Sequence, residues 1–389
     1  MDIALCYESV LPNRGGCETY IADLSRRLAR DGHRVHLYAC RWDASALPTT
    51  MHYHRLHVKR GLRFLRPWRF AQACEDALAQ ADHDVTIGFD KTWGQDVLYP
   101  QGGLHAASQA YNRRKFPNAA TRWLADLGKL LSPAPWSFAR LERKQYLGPN
   151  RPKIVVNSRM VQRHFEEFLE IPADSIHVLP SAIDPGRFEP MNRLVLRNQE
   201  RSDWGVEPSE TVGLFVAMNY RLKGLAPLLH SVAKMERGVP FRLAVVGHPK
   251  TGRYEQLAAK LGISDRVKFL GFRADPKSAY FGADFLVHPT FYDPCSLVVL
   301  EALACGLPVV TTAFNGASEL MHPGEDGFVV ETPHDHAGIA QAMTRLCDPS
   351  FRAAAASKAR QTGQSWTFEQ HYQGLLRMFQ DVAVRRRAA

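Results

Sequence analysis

FYDPCSLVVLEALACGLPVV, residues 291–310, joins a loop, a short helix and the beginning of a buried strand, and the rest of the chain is organised around it. Ser296 stands where an N-cap would accept hydrogen bonds from first-turn amides, and Gly306 stands where a C′ glycine would close the helix. Pro308 forbids continuation, and Val309-Val310 opens a strand. Two carboxylates punctuate the unit. Asp293 lies in the loop, and Glu301 lies inside the helix amid Leu297, Leu300, Leu303 and Ala304. An acid so close to an apolar face is costly unless a partner or a ligand meets it. Taken alone, the pair equally suits a helix N-terminus whose dipole attracts negative charge.

Outward from this unit, strands alternate with helices. Asp284–Pro289 reads as the strand that delivers the chain to it, and Asn315-Gly316-Ala317-Ser318 as a glycine turn beyond it. Upstream, Val212–Met218 is a continuous apolar run of the kind buried on both faces of a parallel sheet. It ends in Asn219-Tyr220-Arg221-Leu222-Lys223-Gly224, ahead of a helix from about Ala226. Arg221 and Lys223 thus sit at a strand's carboxyl end beside a helix start, which suits a phosphate clamp as well as an exposed basic turn. Met1–Cys6, a loop holding Gly15-Gly16, a helix from about Glu18 to Arg30 and a strand over Val35–Ala39 make a βαβ opening. The glycines would let a phosphate approach the helix-start amides. The absence of G-x-G-x-x-G argues against a dinucleotide fold of the dehydrogenase kind. Asp84–Phe89 is a further strand, running on towards Asp90, Asp96 and His105, where open α/β sheets bind ligands.

Ile183–Arg201 is polar and irregular and reads as an interdomain connection. The alternation predicts an α/β protein of two Rossmann-like, doubly wound domains facing across a cleft. Residues 1–182 form the first, 183–366 the second, and a terminal helix over 367–389 is able to return to the first. With 389 residues the chain exceeds one ordinary core. No apolar run is long enough to span a bilayer, and the start reads as a strand, not a signal peptide. The seven cysteines form no C-x-x-C pair and read as small core hydrophobes in a reducing cytosol. His52, His54 and His57 lack an adjacent carboxylate or cysteine, so no metal site is expected there.

The net charge of +10 implies an anionic partner or surface. Nucleic acid is disfavoured, because no nucleic-acid motif is recognisable. Arg60–Arg69 interleaves cations with Leu62, Phe64, Leu65 and Trp68. Residues 106–146 combine Arg113, Arg114 and Lys115 with Trp123 and Trp136, which suits either an interfacial element on an acidic bilayer or a plain helical insertion.

Five stretches now stand together: Gly15-Gly16-Cys17-Glu18, Phe89-Asp90-Lys91 with Gly94 and Asp96-Val97, the Asn219–Gly224 turn, the carboxylates Asp293 and Glu301, and the Ala302–Pro308 run. In these the chain resembles the retaining glycosyltransferases of the GT-B class, family 4, and within it the lipopolysaccharide-core glucosyltransferases that extend inner-core heptose. The resemblance implies a nucleotide-sugar donor, UDP-glucose being favoured, with no cofactor and no metal. It implies a glycolipid or lipopolysaccharide-core acceptor, met from the cytoplasm at an anionic membrane surface. Glu301 would hold ribose hydroxyls, while Asp293 and the following Pro294, Cys295, Ser296 and Leu297 would hold the donor sugar. Arg221 and Lys223 would neutralise the diphosphate, which Gly15 and Gly16 would let the helix start face. His105 would lie near the sugar, and Asp96 is the candidate acid should transfer proceed by double displacement. Two departures bear on the sugar: Asp293 stands where glutamate is usual, and the two cations are more closely spaced than in most of the family. An epimerase or phosphorylase of the same fold and a basic anion-binding module are the alternatives.

Overall fold

The computed structural model describes residues 1–389 apart from 12–14, 60, 117, 131, 149–150, 190, 274 and 389. Arg60 of the basic 60–69 stretch therefore lies outside the described residues. The chain divides into two units, one of Met1–Pro180 with Gln370–Ala389, the other Ser181–Glu369.

In the first unit β1 (Asp2–Cys6), β3 (Arg34–Ala39), β5 (His52–Arg55), β6 (Val85–Gly88), β7 (Val97–Leu98), β8 (Lys153–Val156) and β9 (Ile176–Val178) form a parallel sheet in the order β5-β3-β1-β6-β7-β8-β9. Two short strands, β2 (Ser9–Val10) and β4 (Arg41–Trp42), pair beside it. The Gly16–Arg30 helix buries Tyr20, Ile21, Leu24 and Leu28, the stripe that its periodicity predicts. The Phe368–Ala388 helix ties into this unit through polar contacts. Tyr372 Oη donates to Asp31 at 2.6 Å, and Arg387 pairs with Asp84 at 2.6 Å.

The second unit holds β10 (Thr211–Ala217), β11 (Phe241–Gly247), β12 (Val267–Gly271), β13 (Phe285–His288), β14 (Val309–Thr312) and β15 (Gly327–Val330), parallel throughout and ordered β12-β11-β10-β13-β14-β15. Every residue of β10 is buried, as its unbroken apolar run requires with helices on both faces.

The structure differs from the expectation over 183–201. Residues Arg193–Trp204 are helical, not an irregular connection. Arg197 and Arg201 reach Asp284 at 2.6 and 3.2 Å, Glu200 holds Arg273 at 2.7 Å, and Trp204 is buried. The inward face is built mainly from ion pairs, with Leu196 and Trp204 packed on the core, so it shows no continuous apolar stripe of helical period. The 106–146 segment is three helices, His105–Arg113, Ala119–Leu130 and Pro133–Leu147.

Candidate active site

Reversal of strand order between β10 and β13 makes a switch point, and ligands of open α/β sheets bind outside the strand ends at such a point. Two loops meet there. Phe291 N donates to Leu222 O at 3.0 Å, and Thr290 Oγ1 donates to the same oxygen at 3.3 Å. Gly224 has φ +82°, and a Cβ on it would lie 2.0 Å from Pro289 O. Only glycine lets the two loops come this close.

This approach sets Lys223 Nζ 2.5 Å from Asp293 Oδ2, and His288 Nε2 stands 3.4 Å from the same oxygen. Burial alone would push the Asp293 carboxyl upward, but Lys223 and His288 outweigh it and hold the group well below the usual carboxylate range. Burial also keeps His288 neutral, pulling its pKa down against the pull of Asp293. The loop is pinned from the far side. Asp293 N donates to Phe314 O at 2.9 Å, and Gly316 N donates to Asp293 O at 2.8 Å. Asn315 Oδ1 accepts from Ser296 N at 3.2 Å and from Ala317 N at 3.1 Å. Pro294, Cys295 and Ser296 are buried, and Leu297 is half-buried.

The expectation for the helix ends divides. Ser296 occupies the N-cap position of the Leu297–Ala304 helix, but its side chain makes no capping hydrogen bond. The polar staple comes instead from Asn315, which holds the Ser296 amide. Gly306 does close the other end, with φ +69° and its N–H donating to Leu303 O at 2.8 Å.

Glu301 is half-buried on this helix, and Tyr280 Oη donates to its Oε2 at 2.5 Å. Burial, opposed by Tyr280 and Arg187, raises its carboxyl from the ordinary 4.5 to about 7. The unfolded chain gives up this proton first as pH rises, so the group's stabilising contribution falls between about pH 4.5 and pH 7. Glu301→Gln should therefore stabilise the protein at pH 8 by about 1–3 kcal/mol, with the gain shrinking towards pH 5. Thermal melts of both proteins across that range check it, and a gain that grew on acidification would contradict it.

Arg221 is exposed in the loop after β10. Gly15 and Gly16 belong to the first unit, where Gly15 is the extended N-cap residue of the Gly16–Arg30 helix and accepts from Thr19 N at 3.3 Å. His105 starts the His105–Arg113 helix, where its amide and that of Ala106 both donate to the buried Glu142 carboxylate. With Glu142, Arg113 and Asp126 it lines a cavity of about 300 Å³. Asp96 is a correction. Its Oδ2 accepts from Thr86 N at 2.8 Å and Thr86 Oγ1 at 2.7 Å, and it meets Arg386 at 3.3 Å. It precedes β7 level with Thr86, so it serves the amino-terminal side of the sheet, away from the strand ends where a substrate would bind. Among the described residues no cluster of histidine, cysteine or acid could hold a metal ion. His52 and His54 instead stack with His36 of the neighbouring β3, His36 Nδ1 lying 2.9 Å from His54 Nε2. His288, Tyr280 and Asn315 escape the sequence reading. The one available signal is that a carboxylate next to apolar helix residues needs a donor, without saying which.

The family model described as Glycosyltransferase Family 4 matches residues 14–187, and that described as Glycosyl transferases group 1 matches residues 210–348. The chain belongs to the family-4 glycosyltransferases. This glycosyltransferase is 24% identical over 367 residues to lipopolysaccharide glucosyltransferase WaaG of Escherichia coli K12, spanning 92% of the chain and 93% of that relative. It is 29% identical over 403 residues to a D-inositol 3-phosphate glycosyltransferase of Stackebrandtia nassauensis, spanning 96% and 88%. Among solved structures, WaaG superposes with a TM-score of 0.81 at 22% identity, over 97% of this glycosyltransferase and 99% of WaaG. HepE of Anabaena in complex with UDP-glucose superposes at 0.72 with 19% identity, over 97% and 99%. The shared fold is GT-B. These matches are to sugar transferases, not to basic binding modules.

Proposed function

We propose that this enzyme moves glucose from UDP-glucose, with retention at the anomeric carbon, to a lipopolysaccharide-core or other lipid-linked glycan acceptor. The observation that carries this is the ionised Asp293 with Lys223 and Arg221 at the strand ends of the second unit. Breaking a sugar–phosphate bond builds positive charge at the anomeric carbon and negative charge on the departing diphosphate. Donors fixed at the leaving group are then the largest catalytic effect available. Arg221 offers a planar fork for phosphate oxygens and Lys223 a point charge, so no divalent cation is required in this reading. Asp293 and the backbone N–H groups of Cys295 and Leu297 face the sugar, and Glu301 takes the ribose hydroxyls. The leaving phosphate itself accepts the acceptor's proton on the same face, which leaves no task for Asp96.

The donor assignment is supported by the UDP-glucose in HepE, and the acceptor class by the name of the Escherichia coli relative. Work at the inner face of an anionic membrane is supported by Trp123 and Trp136, which are 63% and 68% exposed near Arg113, Arg114 and Lys115. No helix among the described residues is long and apolar enough to cross a bilayer.

One assay tests the whole reading. UDP release from UDP-glucose should depend on a heptose-bearing glycolipid, persist in chelator, and be faster when anionic rather than neutral vesicles present the acceptor. UDP-N-acetylglucosamine and ADP-heptose serve as competing donors. Turnover without acceptor would point to an epimerase or phosphorylase, and transfer to inositol phosphate would overturn the acceptor class.

A further inference from the structure

Lys223 has two claims on it. Its ammonium is needed at the diphosphate if the proposed function holds, yet in this structure it sits on Asp293 Oδ2 at 2.5 Å. Asp293 is buried, and a buried carboxylate stripped of its partner is strongly destabilising. The lysine therefore cannot leave unless another donor replaces it.

His288 is placed to be that donor. It is 1% exposed, and neither ring nitrogen makes a well-formed hydrogen bond within the described residues, Nε2 only approaching Asp293. An imidazole buried without a partner costs free energy, and so invites a reason for being there. Its Nε2 is 3.4 Å from the oxygen that Lys223 holds, just beyond a well-formed bond. The ring is fixed from behind, stacked on Phe215 of β10 with centroids 6.1 Å apart. The backbone beside it is also fixed, because Thr311 Oγ1 and Thr290 N both donate to His288 O, at 2.9 and 2.8 Å. Both contacts to Asp293 fall on Oδ2. Among the described residues Oδ1 has no hydrogen-bond partner, which leaves it to a sugar hydroxyl.

We propose that His288 is a positioning residue that takes over Asp293 when the donor's diphosphate draws Lys223 away. The inference rests on the reading of the diphosphate site above. With its proton on Nε2, the neutral imidazole closes the remaining few tenths of an ångström and donates to Oδ2. Asp293 then stays ionised and aimed at the sugar while Lys223 serves the leaving group. Aspartate suits this hand-over, because its short side chain keeps Oδ2 within reach of both donors.

Calorimetric titration with UDP and with UMP separates this role from a merely structural one, because only UDP offers the second phosphate. His288→Phe should weaken UDP binding by about tenfold, the worth of a hydrogen bond to a charged group, and leave UMP binding unchanged. His288→Gln, which can present an N–H near the Nε2 position, should restore most of the UDP affinity. His288→Asn reaches only the Nδ1 position and should behave like the Phe variant, so it replaces that variant if Phe does not fold. Equal losses for UDP and UMP, or wild-type UDP affinity in the Phe and Asn variants, would overturn the hand-over. A wild-type protein that binds UDP no better than UMP would instead bring down the diphosphate reading itself, and the hand-over with it.

Discussion

Arg221→Ala is expected to lower kcat/KM for sugar transfer by about a hundredfold to a thousandfold, the range seen when one preorganised donor is removed from a developing anion. The melting temperature should hardly move. Arg221 is exposed in the loop after β10, so truncation opens no cavity in either apolar core. Arg221→Lys keeps the charge and loses the planar fork, and its activity should fall between the two. Steady-state kinetics with donor and acceptor both varied, read beside thermal melts, make the measurement. The proposed role would not survive an alanine variant that retained activity within about threefold of wild type, less than the loss of one charge-assisted hydrogen bond.

Gly224→Ala should damage the second unit as a whole. At φ +82° an L side chain is strained, and the new Cβ would sit 2.0 Å from Pro289 O, a backbone atom with no rotamer to move into. Left-handed strain of about 1–2 kcal/mol and overpacking of about 1–3 kcal/mol together predict a loss of about 2–5 kcal/mol. Relief requires the 218–224 and 289–296 loops to separate, which would pull Lys223 from Asp293. Denaturant titration should show the loss of stability, and UDP binding should weaken even where the variant folds. A variant within about 1 kcal/mol of wild type would mean that the loops part freely, against the close approach described.

Much of the architecture is legible in the chain because its strands are buried on both faces. Val212–Met218 announces itself as an unbroken apolar run, and Tyr20, Ile21, Leu24 and Leu28 mark one helical face. The Arg193–Trp204 helix is illegible for the converse reason, since Arg197, Glu200 and Arg201 face inward. Site residues follow the same division. Asp293, Arg221 and Lys223 stand out as charges at strand and helix ends, and Glu301 as an acid inside an apolar helix. The groups that fix their chemistry, His288, Tyr280 and Asn315, come from other loops and elements, and only the fold brings them to the carboxylates. Asp96 shows the opposite error. Following a strand in sequence suggested the carboxyl end of the sheet, but the chain has by then travelled back to begin the next strand.

The first unit is assembled from two separated pieces of sequence, with residues 181–369 inserted between Pro180 and Gln370. On a ribosome, the strands of that unit emerge first yet wait for its final helix. Until residues 370 onward are free of the exit tunnel, Asp31, Asp84 and Asp96 lack Tyr372, Arg387 and Arg386. The inserted unit, made of one continuous stretch, can complete its own sheet meanwhile. Birth order and order of completion are therefore reversed, and the nascent amino-terminal sheet is the part of this chain most in need of protection by chaperones.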